Sequence, residues 1–368
     1  IVNGENILAT AWWFITDVQD MLLATISLAL MILVVALIAH RLFYSPILTA
    51  LAAGLMAVDG LALVHSRTAL LDNFLAFFIL CATYFFLSRR YWWSGLFLGL
   101  ALATKWSALY FILTFGLIAL YRAFNHHSGR DLIRPTLSRI ALFGFLPLAV
   151  YVTSWWGWFA SSRGWDRAHS SNPISSIFFY HQEMLNFHTG LVEKHPYQAN
   201  PWSWLIMGRP TSFFYETPKS CGADSCSQEV LALGTPFLWW AGTIAVAVVL
   251  GFLLFRSINK SFDPAVTIIT AGLAAGYLPW FFFQQRTVFS FYAIVFEPFV
   301  ILALVYCAKL FLTSQRRKSE RAYLYAEIAV LTAFIMIAIN FIYFLPLYLG
   351  QVIPYETWHA HMWFESWI

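Results

Sequence analysis

Trp92–Tyr121 reads WWSGLFLGLALATKWSALYFILTFGLIALY, an apolar run with one charge, Lys105, near its middle. As a single helix it would be about 45 Å long at ~1.5 Å per residue, against a hydrocarbon layer of about 30 Å. Either one strongly tilted span or two half-helices meeting near Thr104–Lys105 would fit. Basic residues decide between them. Arg41, Arg89–Arg90, the group Arg122/Arg130/Arg134/Arg139, Arg256/Lys260 and Arg316–Arg317–Lys318/Arg321 occupy the connectors between apolar runs, and the positive-inside rule asks all of them to face the cytoplasm. Crossing counts allow that only if 92–121 enters and leaves on the same side. Backbone broken at that depth must be covered by protein or a wet cavity, so Lys105 is expected within the outer leaflet rather than in free water.

Working outward, further runs long enough to span lie at about 21–40, 47–64, 69–87, 137–156, 235–255, 265–283, 288–310 and 323–345. Hydrophobic residues make up 60% of the chain and charged ones 11%, where soluble domains carry about 25% charge. The fold class is therefore an all-α, polytopic integral membrane protein sitting in a lipid bilayer. A net charge of +4 is too small to argue for nucleic acid. The positive-inside arrangement then places His65, Arg67, Lys105, Arg286 and a loop from about 157 to 234 on the outer side.

Within that loop His181–Pro210, HQEMLNFHTGLVEKHPYQANPWSWLIMGRP, is the longest stretch dense in polar and aromatic groups. It holds His181, Glu183, His188 and His195, then Arg209, with Tyr197, Trp202 and Trp204 among them. Cations at the outer boundary (Arg67, Lys105, Arg209 and Arg286) suit the phosphate of a lipid-linked donor. Trp202 and Trp204 suit stacking on a sugar or anchoring in the interface. Upstream, Asn172-Pro173 is a helix start, with Asn as cap and Pro in the first turn, and Gly190 is a stop. Ile174, Ile177, Phe178, Met184 and Leu185 share one face, which predicts a helix lying in the interface plane. His181 and His188 fall in the middle of that face; Glu183 points the other way. Cys81 and Cys307 sit in spans as packing residues. Cys221 and Cys226 (CGADSC) lie in the outer loop, where an oxidising compartment favours a disulfide; a zinc site would need two further ligands nearby.

Seven segments then recur in order: HSRTALLD (His65–Asp72), ATKWSA (Ala103–Ala108), YHQEMLNFHTGL (Tyr180–Leu191), HPYQANPWSW (His195–Trp204), Gly208–Pro210, Leu278–Trp280 and Arg286–Tyr292. Together they resemble the bacterial, actinobacterial-type protein O-mannosyltransferases, polytopic glycosyltransferases of the GT-C helical-bundle type, and the resemblance covers about residues 30–310. Eukaryotic members carry a large β-trefoil insertion for which the 157–234 loop is too short. The resemblance implies inverting transfer of mannose from a polyprenyl-phosphate-mannose donor to Ser/Thr hydroxyls of acceptor proteins near the secretion translocon. It also implies a bacterial plasma-membrane location with the active site facing outside, and a divalent cation dependence that varies between members. No cofactor follows firmly and no metal ligand is assigned.

The family's catalytic pair, an adjacent Asp-Glu after the first span, is not present in this chain; Asp17 and Asp20 are spaced DVQD. The expectation is an N-terminally truncated, single transmembrane glycosyltransferase domain over 1–368, with an extracytoplasmic loop over 157–234 and C-terminal transmembrane helices over 235–368. The catalytic residue is then unassigned, with Glu183 as candidate. Inverting transfer to a hydroxyl needs a base at the acceptor and cationic help for the leaving phosphate, which gives Arg67 and Lys105 a role. Their bland readings are an Arg67–Asp72 ion pair and a Lys105 that snorkels to the interface. Two other functions stay open: a GT-C transferase acting on a glycolipid, and a non-catalytic membrane partner.

Overall fold

A computed structural model describes residues 7–161, 164–259 and 263–368, with side chains from Leu22 onward; the side chains of Asp17 and Asp20 lie outside the described residues. The first helix, α1 (Ile7–Phe43), shows how the bundle is built. Ala24, Ser27, Met31, Val35 and Ile38 recur at spacings of three and four and are buried, while Leu22, Ile26, Leu30, Leu33 and Leu37 on the other side are exposed. A helix apolar all round with one side uncovered is a lipid-facing span. It packs on α2 (Pro46–Ala57), α3 (Gly60–Arg67) and α4 (Leu71–Leu87).

The run expected as one span over 47–64 is bent by 55° between α2 and α3. Asp59 causes the break. Its Oδ1 accepts from the backbone N–H of Leu61 and Ala62 at 2.8 and 3.3 Å, capping α3, and its Oδ2 accepts from Thr235 N and the Trp239 indole at 2.9 and 3.0 Å. An aspartate that caps a new helix ends the old one.

The deciding run is two helices, α5 (Tyr91–Thr104) and α6 (Ala108–His126), with Lys105 extended between them. Residues from the two ends remote from the break, Tyr91 and Trp92 with Ala123 and His126, line one cavity, so the run does return to the side from which it starts. Gly95 and Gly99 make the close approach: a Cβ on Gly95 would stand 2.1 Å from Leu142 O, and one on Gly99 2.6 Å from Val150 Cβ. Small residues four apart let helix backbones touch, and α5 lies against the helix that runs through α7 (Ile133–Ile140), a π-helical turn at Ala141–Phe145 and α8 (Leu146–Ser154). A short α9 (Trp156–Ala160) follows.

The segment after α9 holds α10 (Pro173–Gly190), bounded as its sequence predicts: Asn172 Oδ1 accepts from Ile174 N at 3.0 Å and Pro173 opens the helix. It also holds two strands that the all-α expectation missed. β1 (Thr211–Glu216) pairs antiparallel with β2 (Cys226–Ala232), and β2 pairs with β3 (Val352–Pro354) from the far end of the chain. Cys221 and Cys226 form a disulfide at the β1–β2 turn. Closing so short a loop limits the unfolded chain by about 2 kcal/mol, so reduction is expected to lower the melting temperature by a few degrees. An unchanged melt in dithiothreitol would place the loop's order elsewhere.

Four further long helices complete the bundle: α11 (Pro236–Ile258), α12 (Pro264–Gly276), α13 (Glu297–Arg316) and α14 (Glu320–Leu349). Their starts are written locally. Asp263 and Ser319 accept from the backbone two or three residues on, and Pro264 and Pro298 fall in first turns. The span expected over 288–310 begins only at Glu297, because Pro298 is tolerated in a first turn and not in a helix interior. Residues 288–296 instead form a buried crossing with a 3-10 turn at Ser290–Val295. α14 ends at Gly350, whose φ of +62° is the left-handed cap that glycine favours. After β3, α15 (Tyr355–His361) and a turn at Glu365–Trp367 return the chain to the segment that carries α10 and β1, where Ser366 and Trp367 donate to Gly208 O and Met207 O. Among the described residues seven helices are long and apolar enough to cross a membrane, or eight with the bent α2–α3 pair as one span. The chain is a multi-span helical membrane protein.

Candidate active site

Lys105 occupies the break between α5 and α6, where the backbone leaves helical geometry and the side chain is free to point away from both axes. Its Nζ donates to both carboxylate oxygens of Asp72 at 2.8 and 3.0 Å and stands 4.1 Å from the centre of the Tyr292 ring. Asp72 lies in the first turn of α4, and its side chain is 8% exposed against 29% for Lys105. Both bland readings from the sequence therefore give way. Lys105 is paired rather than snorkelling, and Asp72 takes Lys105 rather than Arg67 as partner. An ammonium has three donors; two are committed to Asp72, and the group keeps an open side.

On the rim, His188 of α10 meets Arg286. An Arg286 guanidinium N–H points at His188 Nδ1 at 3.3 Å, and Arg286 Nε is buried without a hydrogen-bond partner among the described residues. His188 is held below the usual imidazole range by its partial burial and then by the nearby positive charges of Arg286 and Lys105. A ring so depressed prefers to be neutral in the folded protein. Its contribution is complete above the ordinary value of 6.5 and is lost as pH falls through the lowered one. Arg286→Gln is expected to move the His188 titration back toward 6.5, read as the pH dependence of the imidazole proton shifts. A titration that does not move would dissociate His188 from the cations.

One stripe of α10 carries His181 two turns before His188, but its surroundings differ. His181 Nδ1 donates to Ile177 O at 2.7 Å, which leaves Nε2 to accept from the Tyr151 hydroxyl at 2.7 Å; that hydroxyl accepts from the Trp106 indole at 3.0 Å. The ring also stacks on Trp106 with 5.7 Å between centroids. Trp106 follows Lys105 directly, so this relay docks α10 onto the break that presents the lysine. The outer stripe of α10, with Ile174, Phe178 and Leu185, is exposed, as an interfacial helix requires. Tyr151→Phe leaves His181 Nε2 without its donor and is expected to destabilise the α10 docking by about 1 kcal/mol. Limited proteolysis within 164–190 would report it, and unchanged protection would remove the relay from the argument.

The other expected residues are placed elsewhere. Glu183 is half-buried on α10 and makes no hydrogen bond or ion pair with the described residues. His195 accepts from Tyr197 N at 3.1 Å and shapes its turn. Trp202 is 71% exposed beside Phe281, open to a sugar or to lipid. Trp204 is fully buried, donates to Ala199 O and packs on Trp280. No sugar reaches it, and a packing role replaces the stacking one. Arg209 donates to Pro196 O, Ser366 O and Ile368 O and lies over Tyr197; its guanidinium clasps the end of the chain to the loop. Arg67 donates to Tyr348 O at 3.0 Å, in the last turn of α14, where a cation meets the negative end of the helix dipole.

Tyr292, Trp106 and Tyr151 were not singled out from the sequence, although Trp106 and Tyr292 lie inside two of the quoted segments. Among the described residues no group of three His, Cys, Asp or Glu side chains stands together as an all-protein metal cage requires.

The description "Dolichyl-phosphate-mannose-protein mannosyltransferase" matches residues 17–161, and "C-terminal four TMM region of protein-O-mannosyltransferase" matches 173–367. Polyprenol-phosphate-mannose–protein mannosyltransferases of Mycolicibacterium smegmatis and Mycobacterium tuberculosis are 33% and 30% identical to this chain. The alignments cover 92% and 94% of it and 75% of each relative. Among solved structures, the Saccharomyces cerevisiae protein O-mannosyltransferase complex bound to the sugar donor superposes with a TM-score of 0.77. It is 15% identical, over 94% of this chain and 80% of that one; at that identity the likeness is one of fold.

Proposed function

Since this chain belongs to the protein O-mannosyltransferase family, we propose that it transfers mannose from polyprenyl-phosphate-mannose to Ser or Thr hydroxyls of acceptor proteins, with inversion at the sugar. The acceptor oxygen attacks the anomeric carbon, the bond from that carbon to the phosphate oxygen breaks, and the bonding pair stays on the phosphate. Charge therefore grows on the phosphate, and the site's task is to meet it with fixed cations in a place shielded from water.

Lys105 carries this reading. It is held by Asp72 from one side and retains a donor for the other, and Arg286, with its orphaned Nε, flanks it across His188. Neutral His188 leaves Arg286 its full charge. The hydroxyl proton needs a base, and Glu183, unpaired on the helix that carries both histidines, is the candidate among the described residues. Its proposed task is to accept the hydrogen bond of the acceptor hydroxyl and take that proton as the oxygen attacks. The site belongs on the outer face of a bacterial plasma membrane, since the basic connectors gather at the opposite end of α5 and α6, and acceptors emerging from the secretion translocon would meet it there.

A test uses the full-length protein in membranes with polyprenyl-phosphate-mannose and a Ser/Thr peptide, reading mannosyl peptide and its anomeric configuration. Retention of the donor's configuration, or transfer to lipid and not to peptide, would overturn the proposal. Glu183→Gln is expected to lower turnover about tenfold, the loss of one charged hydrogen bond in the transition state. Wild-type turnover would return Glu183 to a solvated helix face.

A further inference from the structure

At the other end of α5 and α6, about 28 Å from Lys105 along α6 at ~1.5 Å per residue, the chain forms an open-mouthed cavity of about 440 Å³. Arg89, Arg122, Arg139, His126 and His127 line it with the aromatic rings of Tyr91 and Trp92, and no carboxylate takes part. A neighbouring space of about 800 Å³ shares Arg89, Arg122 and His126 and adds Arg41 and Lys309. Its one acid, Asp263, is already paired with Arg256 at 3.3 Å. Among the described residues no carboxylate pairs with Arg89, Arg122 or Arg139, and Arg139 Nε is buried without a partner.

Three guanidinium groups around one cavity repel one another. The C-termini of α4 and α6 offset about half a charge each, which leaves roughly two positive charges unmatched. Ring contacts soften this little: Arg122 lies over Phe86 at 4.9 Å and Arg139 over Tyr91 at 4.5 Å. Trp92 is half exposed at the mouth, where aromatic rings mark headgroup depth. Arg89 adds an independent sign. Its φ is +57°, a conformation that glycine adopts freely and arginine does not, so the turn keeps a charged side chain at a backbone cost.

We propose that this cavity binds a phosphate group, the shared chemistry of an anionic lipid headgroup and of free phosphate, as a site separate from the one at Lys105. The proposal does not depend on the mannosyl-transfer reading, because its readout is binding.

The experiment uses delipidated full-length protein. Phosphatidylglycerol, phosphatidylcholine and inorganic phosphate are added separately, with native mass spectrometry and the melting temperature as readouts. Retention of phosphatidylglycerol over phosphatidylcholine, with no shift from phosphate, supports a headgroup. A shift from millimolar phosphate that competes with the lipid supports the free anion. The Arg122→Gln/Arg139→Gln variant is expected to weaken binding about 25-fold, at about fivefold per charge. Arg89→Gly, which suits the backbone and so folds, weakens it about fivefold. Removing two charges elsewhere on the same face, Arg317→Gln/Lys318→Gln, leaves binding intact. Equal retention of the two lipids with no phosphate effect, or parental binding by the Arg89→Gly and Arg122→Gln/Arg139→Gln variants, would overturn the proposal.

Discussion

Replacing Lys105 by alanine is expected to lower kcat/KM for the lipid-linked donor by about 10²–10³-fold, the usual cost of removing one preorganised donor from a developing oxyanion. The same change strands Asp72, whose side chain is 8% exposed. Breaking a buried pair from one side costs about 3–5 kcal/mol, and the 29% exposure of the lysine side chain draws this toward the lower end, since water screens an exposed charge. The two effects separate in the double variant Lys105→Ala/Asp72→Asn. There the stranded carboxylate is gone, so stability recovers while donor use does not. Steady-state kinetics with varied donor, beside a melt, would show this. Donor saturation and turnover that both match the parent in the double variant would leave Lys105 a structural ion-pair partner and nothing more.

Arg209→Ala is expected to release the end of the chain. Its guanidinium holds Pro196 O, Ser366 O and Ile368 O at once, and Trp367 beside it donates to Met207 O at 2.8 Å. Hydrogen bonds from a charged group contribute about 1.5–3 kcal/mol each when sheltered. This clasp is partly exposed, so a total near 3 kcal/mol is expected for the set. Hydrogen exchange over 355–368 should speed up accordingly, with the donor KM unchanged. A donor KM raised tenfold with exchange unaltered would put Arg209 back beside the phosphate, where its sequence setting first suggested it.

Much of the architecture was legible because its causes are local. Asn172-Pro173 and Gly190 bound α10 by capping chemistry that needs no partner, and CGADSC is short enough for its two cysteines to meet. The lone Lys105 in a run too long for one span marked the break before any contact was known. Pro298 carried equally local information that the hydropathy of 288–310 hid, and Asp59 did the same inside 47–64. The sheet was less legible. β3 is three residues long and pairs with a strand more than a hundred positions earlier, so no periodicity announces it.

The site followed the same division. Composition and charge order alone determined a multi-span membrane protein and the position of the α5–α6 break, because hydrophobic transfer and capping act residue by residue. Only the tertiary structure decided that Asp72 meets Lys105 and not Arg67, that Tyr151 links Trp106 to His181, that Trp204 is core, and that Arg209 holds the chain's end. Each of these depends on which groups share a desolvated space, and a buried charge takes the nearest partner in that space rather than the nearest in sequence.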